Sequence, residues 1–235
     1  VVYGVVRFWD LRYFNDLRTI ESSDPYPIPQ ADLTVLNGKA AVDAYTSVGF
    51  PKEAIAEGEA LRNGYLHDLR ANFASKKIDE DEIKVLVLGD FSPSGTIKML
   101  DLLEGADPHI CNYTVKPHPL YQIKSSDYPS LKLKVVMDPL EEILGDFDIA
   151  YSTNLTSAAV DAYLTGLQVI VMFNPMEPNL SPLRGQPDVR FVSTSEELAE
   201  ALQAAIFNKA NNRLGGNDFL FLDPELPRWS QLLAS

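Results

Sequence analysis

The run Ile83-Lys84-Val85-Leu86-Val87-Leu88-Gly89-Asp90 constrains this chain more than any other stretch. It is continuously apolar rather than alternating, has the length of a strand, and ends abruptly in Gly-Asp. That pattern belongs to a strand covered on both faces, as in a parallel sheet between helices. The segments downstream repeat the theme. Residues 94–105, "SGTIKMLDLLEG", have helical spacing with Ser94 as N-cap. Strands are predicted at 109–119, "HICNYTVKPHP", and at 131–138, "LKLKVVMD". In "DPLEEILGDF", Asp138 serves as N-cap, Pro139 takes the first turn and Glu141 stands at the capping-box position. Glu141 and Glu142 therefore read as helix-capping charges rather than as an acid–base pair. "DIAYSTN" (148–154) is the next strand, and "TSAAVDAYLTG" (156–166) a helix closed by Gly166. "QVIVMFNP" (168–175) and "VRFVST" (189–194) are strands, and "SEELAEALQAAIF" (195–207) is an amphipathic helix. "PELPRWSQLLAS" reads as a short helix that packs back on this domain. Strands alternating with helices predict a doubly wound parallel sheet, which binds its ligand at the carboxyl ends of the strands.

Upstream the pattern is less regular. "VVYGVVRFW" and "ADLTVLNG" (31–38) look like strands; "GKAAVDAYTSVG" and "PKEAIAEGEALRNGYLHDLRANF" look helical. Two strands do not make a stable sheet alone, so residues 1–76 are expected to be the end of a preceding α/β domain plus a linker. Residues 77–235 are expected to form the doubly wound domain. The acidic run Asp79-Glu80-Asp81-Glu82 reads as a solvated linker. The chain starts without methionine inside an apolar pattern, which suggests the C-terminal part of a longer protein.

Of the 235 residues, 20 are basic and 33 acidic, a net charge of −13. No basic cluster is present, which argues against nucleic acid or an anionic lipid surface as partner. No apolar run reaches the ~18–20 residues of a membrane span, and no signal peptide is visible. A single cysteine, Cys111, excludes an intrachain disulfide and a cysteine-rich zinc site; it reads as a buried, inert thiol of a reducing cytoplasm. The sequons at Asn112 and Asn154 overlap strand-like segments and read as chance matches.

Three strand ends carry polar groups expected on one edge of the sheet. The first is Gly89-Asp90-Phe91-Ser92-Pro93-Ser94-Gly95-Thr96, where small residues let backbone amides approach an anion. It matches neither the P-loop nor the dinucleotide fingerprint, and loop chemistry explains it as well as ligand binding does. The second is His118 in "KPHP", an imidazole stiffened by two prolines. It is either a strand terminator or a hydrogen-bond donor to a nucleotide. The third is Tyr151-Ser152-Thr153-Asn154-Leu155-Thr156-Ser157, with five hydroxyls where a cap needs one. Surplus hydroxyls at a helix start favour phosphate.

The order "KPHP" then "YSTNLTSAAVDAYLTGLQVIV" resembles the Rossmann-like, nucleotide-binding C-terminal domain of GT-B glycosyltransferases. It is most similar to bacterial surface-carbohydrate enzymes with cytidine-activated donors: sialyltransferases, Kdo transferases and CDP-glycerol polymerases. In these a His-Pro motif contacts the cytidine nucleotide, and a Ser/Thr-rich motif holds its phosphate. The resemblance assigns His118 and Pro119 to the first motif, and Ser152, Thr153, Thr156 and Ser157 to the second. With the neighbouring strand ends, the expected nucleotide-binding set adds Gly89, Ser92, Ser94, Gly95, Lys116, Asn154 and Glu177. Glu177, with Asn174, stands in the loop after the fifth strand, where GT-B enzymes often place a carboxylate near the ribose. "PQADLTVLNGKAAVDAYTSVGFPKEAIAEGEALRNGYL" is similar to the end of a GT-B N-terminal domain. "RFWDLRYF" with "GEALRNGYL" resembles a group of O-antigen-type biosynthesis proteins.

The resemblance implies a cytoplasmic transferase that meets the inner membrane only through partners. It implies a nucleotide-sugar donor, a glycan or lipid-linked acceptor, and no metal or other cofactor. The catalytic acid or base of the family comes from the N-terminal domain, so none is assigned. Asp10 and Glu59 read as surface or capping carboxylates. Two alternatives stand beside this reading: a sugar-nucleotide 2-epimerase of the same fold, and a non-catalytic nucleotide- or sugar-binding module.

Overall fold

The structure is a computed structural model. It describes residues 4–6, 26, 29, 31–74, 83–106, 111–207 and 219–234. The predicted strand at the start, Asp10 and the acidic run 79–82 lie outside these residues, apart from positions 4–6. The chain divides into two compact units, one built on residues 1–67 together with 216–235, the other on 68–215.

The larger unit holds a six-stranded sheet, all parallel: β3 (Lys84–Leu88), β4 (Asn112–Lys116), β5 (Lys134–Val135), β6 (Ile149–Thr153), β7 (Gln168–Met172) and β8 (Arg190–Val192). Their order across the sheet is β5-β4-β3-β6-β7-β8. The chain winds outward from β3 to one edge, returns to the middle, and winds outward to the other. This is the doubly wound arrangement, with its reversal between β3 and β6.

Val85, Leu86, Val87 and Leu88 are all buried, as a strand covered on both faces must be. On one face, Met99, Leu100 and Leu103 of α3 (Pro93–Gly105) meet Leu198, Ala201, Leu202 and Ala205 of α6 (Ser195–Phe207). They enclose Val85, Val87, Ile149, Tyr151 and Ile170 in one cluster. Each fully buried aliphatic side chain contributes roughly 1.5–3 kcal/mol. The alternate residues Ala150, Val169 and Val171 are equally buried. Against β6 and β7 packs α5 (Ala158–Leu164), with Ala159, Val160, Ala162 and Leu164 inward.

Several helix and strand ends differ from the sequence reading. Ser92, not Ser94, is the N-cap of α3, because Pro93 takes the first helical position. Pro139, not Asp138, precedes α4 (Leu140–Ile143), which is a single turn. β5 is reduced to two residues, since the chain reaches it through Lys132 in a left-handed conformation at an edge with one partner. Cys111 is half-buried rather than buried, packed at the margin of the large cluster. Gly166, with φ 97°, stands just past the α5 cap Thr165, and its N–H bonds to the Tyr163 carbonyl. Thr194 and Glu197 form a capping pair at the start of α6: the Glu197 N–H donates to Thr194 Oγ1 (3.2 Å), and its carboxylate accepts the Ser193 N–H (2.6 Å).

In the smaller unit, β1 (Thr34–Leu36) pairs in parallel with β2 (Ile55–Glu57), connected through α1 (Lys39–Ser47). The stretch 51–73 is helical by its sequence pattern, yet it contains β2 before α2 (Leu66–Ala74) begins. Pro51, a single 3-10 turn at Lys52–Ala54 and the extended Ile55 break the helical run. The last helix, α7 (Pro227–Ala234), belongs to this unit and packs on β2.

Candidate functional site

Strand register brings the three polar strand ends to one level. Leu88 of β3 stands opposite Lys116 of β4 and Ser152 of β6. The next residues along each strand, Gly89-Asp90, Pro117-His118 and Thr153-Asn154, therefore emerge side by side at the carboxyl edge. They flank the reversal of strand order, where α/β sheets open a crevice.

Gly89 makes that crowding possible. A Cβ there would lie 3.1 Å from both His118 N and Pro117 Cα, so the β3 and β4 exits touch through backbone. Its N–H donates to the Lys116 carbonyl at 3.0 Å. His118 comes next, at half exposure. The Leu120 N–H donates to His118 Nδ1 (3.2 Å), so the neutral ring carries its proton on Nε2. Phe91 meets the ring edge-on, 6.4 Å between centroids. The buried Pro117 and the exposed Pro119 hold the segment on either side. The result is an imidazole of fixed tautomer with one outward donor. Lys116 donates from Nζ to the Asp138 carbonyl, leaving two ammonium protons.

The β3–α3 loop and the β6–α5 junction are joined through Asp90, which is 2% exposed. Thr153 Oγ1 donates to Asp90 Oδ2 at 2.8 Å, and the Ser92 N–H donates to Oδ1 at 3.4 Å. The Asp90 N–H donates to Thr96 Oγ1 at 2.9 Å. A Cβ on Gly95 would sit 3.3 Å from Asp90 Oδ2, so the loop folds tightly over the carboxylate. Above it, the Ser92 and Ser94 hydroxyls share a hydrogen bond of 2.9 Å on the surface, and Ser92 makes no side-chain cap bond to α3.

The hydroxyls of the second motif separate into two groups. Ser152 is wholly buried inside β6, and among the described residues its Oγ has no hydrogen-bond partner. Thr153 is buried with its proton committed to Asp90. Thr156 and Ser157 are half exposed, and Ser157 precedes α5 without a side-chain cap bond. Asn154 is buried, its Nδ2 donating to the Pro178 carbonyl at 3.4 Å, which ties the loop after β7 to this junction. In that loop Asn174 Nδ2 donates to Glu177 Oε1 at 2.7 Å, and Asn174 Oδ1 accepts the Met176 N–H. Glu177 is exposed and braces its own loop.

Asp90, Phe91 and Thr96 belong to this group of strand ends, although the nucleotide-binding set expected from sequence names other residues of their loop. Their signal is faint: polar or aromatic residues directly after a wholly buried strand. Glu59 lies in the smaller unit. It is 3% exposed and caps α7, accepting the N–H groups of Arg228 (3.0 Å) and Trp229 (3.1 Å).

No family model and no curated protein matches this sequence. Among solved structures it is similar to sucrose-phosphate synthase from Thermosynechococcus elongatus, at 17% identity and TM-score 0.46, over 79% of this chain and 51% of that one. It is similar to the wall teichoic acid polymerase TagF in a CDPG soak, at 14% identity and TM-score 0.46, over 86% and 55%. It is also similar to HepE of Anabaena in complex with UDP-glucose, at 13% identity and TM-score 0.49, over 89% and 62%. The chain thus spans between half and two thirds of the length of these three structures. Likeness at this distance concerns the fold, and what the chain does must come from its own crevice.

Proposed function

We propose that this chain is the donor-binding part of a GT-B-type glycosyltransferase, taking a nucleotide-activated sugar, with cytidine as the base, in the synthesis of bacterial surface polysaccharide. The observation that carries this reading is the meeting of three polar strand ends at the point where the strand order reverses. His118 offers Nε2–H to the nucleotide. The small residues Ser92, Ser94 and Gly95, with Lys116 and the half-exposed Thr156 and Ser157, surround the phosphate. Fixed donors of this kind stabilise charge developing on a leaving phosphate without reorganising. Glu177, next to the Pro178 carbonyl that holds Asn154, is the carboxylate assigned to the ribose in this reading.

The acceptor is a glycan or lipid-linked sugar, and its hydroxyl is activated by groups beyond this chain. The nucleotide sugar is substrate, and no further cofactor is assigned. The reaction belongs in the cytoplasm; among the described residues no helix is long and apolar enough to cross a membrane. On its own the chain binds nucleotide weakly and turns over poorly.

Calorimetric titration with CMP, CDP, UDP and GDP, alongside His118→Ala, tests this. Selective binding of a cytidine nucleotide, weakened at least about tenfold by the variant, is expected for the loss of a hydrogen bond to a charged group. Preference for UDP with the same loss would move the donor class. No binding at millimolar nucleotide by the folded chain would sink the reading.

A further inference from the structure

Asp90 is an expensive residue in its place. A carboxylate removed from water costs several kcal/mol unless a cation answers it. Among the described residues Asp90 meets only the Thr153 hydroxyl and the Ser92 amide through its side chain, and no lysine, arginine or histidine. A core built for stability alone would put a neutral group there.

The geometry supplies the reason for a carboxylate. Asp90 ends β3, and its two oxygens face two different segments. Oδ2 takes the Thr153 proton from the end of β6, and Oδ1 takes the Ser92 N–H from the start of α3. A carboxylate accepts on both sides, whereas an asparagine would present a donor to one of them. Thr153 donates this bond and keeps its lone pairs available for the Leu155 N–H at 3.4 Å. Thr96, fully buried, closes the same turn by bonding both the N–H and the carbonyl of Asp90. One carboxylate thus ties together the two loops that border the reversal of strand order.

We infer that Asp90 is a positioning residue that acts through Thr153 to hold the β3–α3 and β6–α5 loops at the spacing the ligand requires, so that the crevice is formed before the ligand arrives. This rests on the nucleotide reading above. Asp90 itself is buried under Gly95 and touches no ligand. Preorganisation of this kind raises affinity by removing the ordering cost from the binding step.

The test compares the intact chain with Asp90→Asn, Thr153→Val, Thr153→Ser and the double variant Asp90→Asn/Thr153→Val. Each is titrated with whichever of CMP, CDP, UDP and GDP the parent chain binds, and each is melted. Asp90→Asn and Thr153→Val are each expected to weaken binding about tenfold, and the double variant no more than the worse single, as for two groups acting through one bond. Thr153→Ser restores most of what Thr153→Val loses. Asp90→Asn keeps the size and shape of the side chain, so its melting temperature is expected to stay level while affinity falls. A role in stability alone predicts the reverse, affinity unchanged and melting lowered, and that result overturns the inference. So does additive loss in the double variant.

If the parent chain binds no nucleotide, the nucleotide reading fails by itself. The tie is then judged by amide exchange in the ligand-free chain. Faster exchange of both 91–96 and 154–157 in Thr153→Val upholds it, and unchanged exchange in either segment overturns it.

Discussion

Tyr151 shows how one residue links the core to the solvent conditions the fold tolerates. Its phenol is fully buried in the cluster beneath α3 and donates to the Met99 carbonyl at 3.2 Å. Burial drives its pKa far above the ordinary tyrosine value of 10.0. In the unfolded chain it ionises near the ordinary value, while the folded chain keeps the proton. The unfolded state therefore binds fewer protons above about pH 10, and stability falls as pH rises through that range. Tyr151→Phe is expected to cost about 1 kcal/mol at neutral pH, the net worth of one buried hydrogen bond. Above about pH 10 that deficit should shrink and reverse, since phenylalanine has no proton to lose. Urea denaturation of both chains from pH 7 to 11 checks this; parallel curves over the whole range would refute it. The other nine tyrosines titrate in both chains, so the difference isolates Tyr151.

At the scale of elements, α7 depends on a residue about 170 positions away. Glu59 accepts the Arg228 and Trp229 N–H groups, which an isolated helix would leave open, and the Trp229 indole N–H donates to the Glu59 carbonyl at 2.9 Å. The Arg228 guanidinium also reaches Glu59 at 3.3 Å, but its side chain is 35% exposed, so that pair is discounted for solvent screening. Arg228 lies over the Phe221 ring, 4.0 Å from its centroid. Glu59→Ala removes a cap whose loss costs about 2 kcal/mol at the upper end of such effects. Hydrogen exchange should quicken across 227–234 by the corresponding factor while the β3–β6 core stays protected. Equal protection of α7 in both chains would show that the cap is dispensable.

For the whole molecule, the division into two units sets how damage spreads. The larger unit is one continuous stretch, residues 68–215, whereas the smaller unit takes its last helix from the far end. Deleting residues 227–235 should therefore lower the unfolding midpoint of the smaller unit and leave that of the larger one unchanged, read by exchange at 34–57 and at 84–88. A matching fall in the larger unit would mean that the two do not unfold separately.

Much of the architecture was legible because it rests on local signals. The runs at 83–90, 148–154 and 168–175 each announce a buried strand, and each folds as one. The helices at 39–47 and 195–207 agree with their apolar spacing. The candidate site was legible as three separate strand ends, each ambiguous alone. What the sequence could not supply was anything set by a distant partner. β2 is a strand because β1 lies beside it, with Ile55 opposite Thr34, although its own residues carry a helical pattern. Ser152 and Ser157 look alike in sequence, yet the first is sealed between β3 and β7 and the second is half exposed at the start of α5. The Asp90–Thr153 bond spans 63 residues, and the Glu59 cap 169. Periodicity and capping act within a few residues, so the sequence alone determines the main strands and helices of the larger unit and that their polar ends fall on one edge. Register, burial of individual hydroxyls and the pairing of remote carboxylates depend on which segments become neighbours, and the tertiary structure alone decides that.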